Sequence, residues 1–444
     1  MRGLAIALGA LTAASLVAVS PAAGATVRSE FYGIVQTATL DPQDEQGMQA
    51  AGVRANRFIL NWVWVEPTQG HFDWGSSDRF IGELASRGIR AVPSVWGNPD
   101  WVAGGAATPP TGGTKSQQQW KTLLKALVTR YGTNGTYWST KYHQQFGASV
   151  VPYPITSWQI WNEPNVKKFF QPYPSPGQYA RLRQSSAPAI KGIDPGAQVG
   201  LAGMPGYGDV TAWEFLKKLY AVAGIKAFFD AAALHPYAKD MTQFRQEIQR
   251  VRQVITGHND AATPLWISEL AWGSAPPDSI GINKGPTGQA QMLRRAFQMV
   301  LANRTAWNVQ HLFWYHWRDP RRSQASCSFC ASAGLLNFNR TPKPALNAFK
   351  SFTAEKVVPK AMITGGPANG STIIDPTPTF KFTASEPGAT FLCKFDAKPF
   401  LACASPYTPK AALPNGPHTF ALRAVDAAGN ASVIVKRSFT VNKH

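Results

Sequence analysis

Between Phe31 and Phe352 the chain alternates short, unbroken apolar runs with longer helical patterns. Unbroken apolar runs suit parallel strands buried on both faces. Eight such runs stand out: Phe31–Thr37, Arg54–Trp62, Arg90–Trp96, Ser157–Glu163, Gln198–Gly203, Ala231–Tyr237, Leu265–Trp272 and Asn308–Trp317. The helical patterns that follow them cover Asp44–Gly52, Ser77–Arg87, Gln117–Tyr131, Gly177–Ile190, Ala212–Val222, Met241–Ile255, Gln289–Ala302 and Pro344–Phe352. Eight strand–helix units in about 330 residues predict an α/β fold, a (β/α)8 barrel with loop insertions. An open doubly wound sheet would usually carry a glycine-rich phosphate loop after a strand, and the sequence has none.

The pattern then changes. "EKVVPKAMITGGPANG" is rich in Pro and Gly, and after it come short alternating runs such as "TFKFTAS", "TFLCKFD" and "HTFALRAVD". These predict a small all-β sandwich of about 80 residues. The expected organisation is a leader at 1–25, the barrel at 26–355, a linker at 356–367 and the sandwich at 368–444. "MRG", the apolar run that follows it and Ala23-Gly24-Ala25 form a secretory signal pattern, with cleavage near Ala25 and an extracellular product.

Composition sharpens this reading. Apolar residues make up 44% and charged residues 16%, enough for a sizeable core. Fifteen tryptophans are enough to serve both a core and a sugar-binding site. The net charge is +19, but the basic residues are scattered and no nucleic-acid motif accompanies them. That disfavours a nucleic-acid partner and leaves contact with an anionic glycan or a cell surface open. A monomer is expected. Cys327, Cys330, Cys393 and Cys403 form an even set in an exported chain, which favours disulfides. Proximity favours Cys327–Cys330 and Cys393–Cys403. The "CSFC" stretch lacks a second Cys/His pair for zinc, so no metal is expected.

In a barrel of this type, reactive groups sit at the C-terminal strand ends. The fourth strand ends in Asn162-Glu163 within "WQIWNEPN", and the seventh carries Glu269 out of "WISELAW". A strand-end Glu can simply cap a helix or pair with an arginine. Two of them facing each other across the barrel mouth are what glycosidic cleavage needs, one as proton donor and one as nucleophile or base. No cofactor is required.

These motifs resemble clan A of the glycoside hydrolases, a group of retaining (β/α)8 enzymes. The resemblance covers residues 26–353. It implies Glu163 as acid/base and Glu269 as nucleophile. It implies Arg57 as electrostatic support for the nucleophile, and Asn162 as a contact to the sugar 2-hydroxyl. In "LHPY" it implies that Tyr237 donates to Glu269. His235 is either the partner of that pair or a satisfied core histidine. "LFWYHW" resembles the clan's aromatic floor; alternation lets only one of Trp314 and Trp317 face inward, with Trp314 preferred. Trp96 is a further stacking candidate. "RFILNWVWVEPTQGHFDW", with Glu66 and Trp74, is similar to families 5 and 39, and Glu66 reads as structural. The C-terminal segment resembles bacterial immunoglobulin-like modules, serving either attachment or spacing. The expected activity is hydrolysis of β-glycosidic bonds in a poly- or oligosaccharide. The alternatives are transglycosylation at the same site and a non-catalytic glycan-binding protein.

Overall fold

Nine short strands form one parallel sheet: β1 (Tyr32–Val35), β2 (Ala55–Asn61), β3 (Arg90–Trp96), β4 (Ser157–Ile160), β5 (Gln198–Leu201), β6 (Met204–Pro205), β7 (Ala232–His235), β8 (Leu265–Ile267) and β9 (Val309–Tyr315). This is a computed structural model. It describes residues 30–36, 40–102, 104–148, 150–353, 359–385, 389–398, 400–425 and 431–443. The leader at 1–25 and Thr37 lie outside the described residues.

The strand order is β5-β4-β3-β2-β1-β9-β8-β7-β6. The gap between the two ends is closed by a parallel bridge from Gly200 to Ala231, where Leu201 N donates to Ala231 O at 2.8 Å. The sheet therefore curls into a barrel; β5 lies within the fifth predicted strand, Gln198–Gly203, while β6 is a further short strand just beyond it. The interruption has a local cause. Ala202 N leaves the ladder and donates to the Tyr179 hydroxyl at 2.7 Å. Next to it, a methyl group on Gly203 would overlap His235 Nε2 and Ser268 Oγ. Only a glycine lets the backbone pass this close to the neighbouring side chains.

The eight predicted helices form, with ends shifted by a few residues. Side-chain caps mark several starts. Asp41 accepts from Gln43 N and Asp44 N, Ser175 caps Pro176–Lys191, Thr211 caps Ala212–Tyr220, and Asp240 caps Met241–Gly257. The insertion before β4 holds two further short helices, Thr136–Ser139 and Lys141–Phe146. Many of the tryptophans fill the core: Trp120 packs edge-on against both Trp62 and Trp161, with ring centroids 5.5 and 6.1 Å away.

The chain divides between Val357 and Val358 into two compact units. In the second, strand Ala361–Gly365 pairs antiparallel with Lys381–Ala384. A five-stranded sheet runs in the order Ser371–Ile373, Val435–Val441, Gly416–Val425, Thr390–Phe395 and Leu401–Cys403. Its core is Phe380, Phe382, Phe395, Phe420, Leu422 and Phe439. Part of the predicted linker is corrected here. "AMITG" alternates, so Ala361 and Ile363 can face the second unit's core while Met362 faces out. Both disulfides pair by proximity, Cys327 with Cys330 and Cys393 with Cys403. Among the described residues no helix is long and apolar enough to cross a membrane.

Candidate active site

The strand β4 ends at Ile160, and the next three residues turn sharply. Trp161 (φ 74°) and Glu163 (φ 41°) both adopt left-handed backbone, which is costly for residues with a Cβ. The surroundings hold this turn in place. Trp161 N donates to Val95 O, Ser94 Oγ donates to Trp161 O, and Glu163 N donates to Gly203 O. The Trp161 indole donates to Phe169 O at 2.7 Å. The turn delivers Asn162 and Glu163 into a cavity of about 360 Å3. β8 ends at Ile267, earlier than the sequence suggests, and Glu269 enters the same cavity from just beyond it.

Arg57, on β2 and fully buried, organises the floor. Its Nη1 lies 2.5 Å from Glu269 Oε1, its Nη2 donates to Asn162 Oδ1 at 2.8 Å, and its Nε donates to Gln159 Oε1 at 2.5 Å. Gln159 is itself oriented by donating to Leu201 O. The Tyr237 hydroxyl donates to Glu269 Oε2 at 2.5 Å. His235 Nδ1 lies 2.8 Å from Glu163 Oε1 and 3.6 Å from Glu269 Oε2. Glu163, His235 and Glu269 bring one donor atom each to within 4.8 Å of one another. They are the one such group with metal-ligating donors among the described residues, but Glu269 is already matched by the Arg57 guanidinium.

The two carboxyls have unequal surroundings. Burial, and after it the charge of Glu269, pushes Glu163 up to about 8, against the opposing charges of Arg57 and Lys168. Burial also raises Glu269, but Arg57 and the Tyr237 hydroxyl oppose it directly. These surroundings favour the protonated form at Glu163 and the ionised form at Glu269. Burial, and then the charge of Arg57, holds His235 well below the usual imidazole range. His235 is neutral, and its contact to Glu163 is a hydrogen bond rather than an ion pair.

Of the residues singled out in the sequence, Asn162, Glu163, Tyr237, Glu269 and Trp96 line the cavity, while Arg57 and His235 support it from below. Trp314 and Trp317 do not line it, which corrects the expected floor. Register decides the point. Tyr315 pairs with Val35, which pairs with Arg57, and partners in a parallel ladder share a face. Tyr315 therefore points inward with Arg57, and Trp314 points away, donating to Ala333 O at 3.0 Å. Trp317 lies beyond the strand, its ring against Gly47. Glu66 accepts from Trp62 Nε1 and Gly70 N, and Trp74 stacks on Phe72.

Sequence reasoning missed Tyr315, Tyr207, Phe169 and the Cys327–Cys330 loop, all of which line the cavity. No signal along the sequence marks them; the strand register that turns Tyr315 inward is visible only in the structure. A separate groove, lined by Trp101, Lys115, Gln119 and Arg181, contains no carboxylate.

Residues 53–362 match the model for "Glycosyl hydrolases family 39", more than two thirds of the chain. A beta-xylosidase of Caldicellulosiruptor saccharolyticus is 24% identical over 298 residues, covering 61% of this chain and 51% of its own length. A beta-xylosidase of Geobacillus stearothermophilus is 22% identical over 272 residues, covering 56% and 48%. The chain thus spans about half the length of these curated relatives. A solved family 39 beta-xylosidase from Caulobacter crescentus shares the fold with a TM-score of 0.53 and 18% identity, over 91% of this chain and 79% of that one.

Proposed function

Because the chain belongs to glycosyl hydrolases family 39, we propose that it hydrolyses β-linked glycosides by double displacement, with Glu163 as acid/base and Glu269 as nucleophile. One observation carries the reading: oxygens of the two carboxyls lie within 4.8 Å of each other, while, of these two carboxyls, Arg57 and Tyr237 both hydrogen-bond Glu269 and not Glu163. Retaining enzymes place their carboxyls about 5–5.5 Å apart, and inverting enzymes leave about 6.5–9.5 Å for a water. The close spacing favours retention.

In the first step protonated Glu163 donates to the leaving oxygen as Glu269 attacks the anomeric carbon. In the second, Glu163, now ionised, takes a proton from water as that water displaces Glu269. Arg57 also fixes Asn162 by its carbonyl oxygen, leaving the amide NH2 to donate to a sugar hydroxyl. Trp96, Tyr315 and Phe169 offer aromatic faces to the ring. The names of the relatives make a β-xyloside the first substrate to try. Export, with cleavage near Ala25, agrees with the two disulfides. The proposed protein is a secreted monomer acting on an oligo- or polysaccharide, with the C-terminal unit serving attachment or spacing.

The test is mass spectrometry after incubation with a 2-deoxy-2-fluoro β-glycoside, together with NMR of the first-formed anomer. A sugar adduct on Glu269 and a β product are expected. An α product, or an adduct elsewhere, refutes the assignment. Longer sugars among the products would redirect the reaction to transglycosylation at the same site.

A further inference from the structure

The connection from β9 to the final helix is long, and its regular structure is limited to two 3-10 turns, Arg322–Gln324 and Phe329–Ser332. Long connections of this kind usually serve a site. Here the "CSFC" stretch folds back over the cavity, and Cys327, Ser328, Phe329 and Cys330 all line it. The Cys327–Cys330 bridge spans three residues, too short a loop to take much entropy from the unfolded chain. Its effect is therefore local, fixing the backbone that carries Ser328 and Phe329.

Phe329 is 3% exposed, and its ring centroid lies 4.9 Å from that of Tyr237, inclined by 57°. Tyr207 and Tyr315 flank Tyr237 at longer range, each with its centroid 6.3 Å away. The loop is tied to three parts of the rim. Ser326 O accepts from Lys168 Nζ at 2.8 Å, the Ser326 hydroxyl lies 2.9 Å from the Tyr315 hydroxyl, and Ser328 Oγ accepts from Ser279 N at 2.9 Å. Among the described residues, Tyr237 is one of two side chains hydrogen-bonded to Glu269, the other being Arg57.

We propose that the Cys327–Cys330 staple makes Phe329 a positioning residue, which holds Tyr237 and through it the carboxylate of Glu269 in the geometry of attack. The proposal rests on the nucleophile reading above. The ionisable groups around Glu269 are Arg57 from β2, Glu163 from the turn after β4, and His235 and Tyr237 at the end of β7, with Tyr207 and Tyr315 behind Tyr237. Of these, Tyr237 is in ring contact with Phe329 and Tyr315 bonds the staple through Cys330 Sγ. Loosening the loop should therefore reach Glu269 through its hydrogen bond from Tyr237.

The test is a pH titration by NMR of protein carrying 13C-carboxyl glutamate, with Glu269→Gln assigning the resonance. Native protein, Cys327→Ser/Cys330→Ser, Phe329→Leu and Tyr237→Phe are compared. The Glu269 midpoint should move upward in all three variants. It should move no further when Cys327→Ser/Cys330→Ser is added to Tyr237→Phe. On an aryl β-glycoside kcat should fall about tenfold while KM holds within about threefold, as expected for a small misplacement of a reacting group. An unmoved midpoint in Phe329→Leu, or additive shifts, overturns the proposal. If the cysteine variant does not fold, Phe329→Leu, which keeps the bridge, decides. If the native protein cleaves no glycoside, the hydrolase reading fails, while the titration still decides the positioning.

Discussion

Arg57 Nη1 and Glu269 Oε1 lie 2.5 Å apart, although their residues are 212 positions apart in the chain. The guanidinium is wholly buried and the carboxylate nearly so. Each charge is tolerable only because of the other. Removing one partner of such a pair leaves an uncompensated buried charge, at a cost of about 3–5 kcal/mol. Arg57→Ala should therefore lose about that much stability in urea unfolding, in addition to any loss of activity. Arg57→Lys should not recover it, since one ammonium on a flexible stem cannot reproduce a planar fork to Glu269, Asn162 and Gln159.

The two carboxyls predict a bell-shaped pH dependence of kcat/KM. The falling limb belongs to Glu163, pushed up to about 8, and the rising limb to Glu269. Glu163→Gln should cost about 10²–10⁴-fold in rate on substrates with poor leaving groups. It should also abolish the falling limb on activated ones. A falling limb that survives this substitution would assign it to another group.

The same shift has a consequence for stability. The folded-state pKa of Glu163 is raised from the ordinary 4.5 to about 8, so the native state binds a proton that the unfolded chain releases. Its contribution is fully present below pH 4.5 and is lost as pH rises towards 8. Glu163→Gln, which stays neutral, should gain Tm relative to native protein as pH rises through this window. A Tm difference constant with pH would contradict the buried, protonated state.

Tyr315 and Trp314 separate binding from folding. Tyr315→Ala should raise KM, since it removes a wall of the cavity. Trp314→Ala should instead lower stability by about 3–5 kcal/mol and leave the KM of the folded fraction unchanged. Thermal melts beside saturation curves check both, and the reverse pattern would put Trp314 in the cavity.

Gly203→Ala should destabilise by about 1–3 kcal/mol, because the added methyl must displace His235 or Ser268. A displaced His235 would also lose its hydrogen bond to Glu163, so activity should fall along with Tm.

The sequence by itself determined the eight-unit barrel, the all-β second unit, the pairing of the cysteines and the two strands after which Glu163 and Glu269 follow, though not where those strands end. These are local properties: unbroken apolar runs, turn residues, short cysteine spacing, and a charge at the edge of an apolar run. Only the tertiary structure decided which aromatic of "LFWYHW" faces the cavity. A strand buried on both faces is apolar at every position, so its period of two carries no visible phase. The register to Val35 and Arg57 supplies that phase. The tertiary structure alone also resolved His235 as a neutral partner of Glu163, and it alone brought Tyr207, Phe169 and the stapled loop to the site. Loop positions follow from packing against distant elements, and no spacing along the chain encodes them.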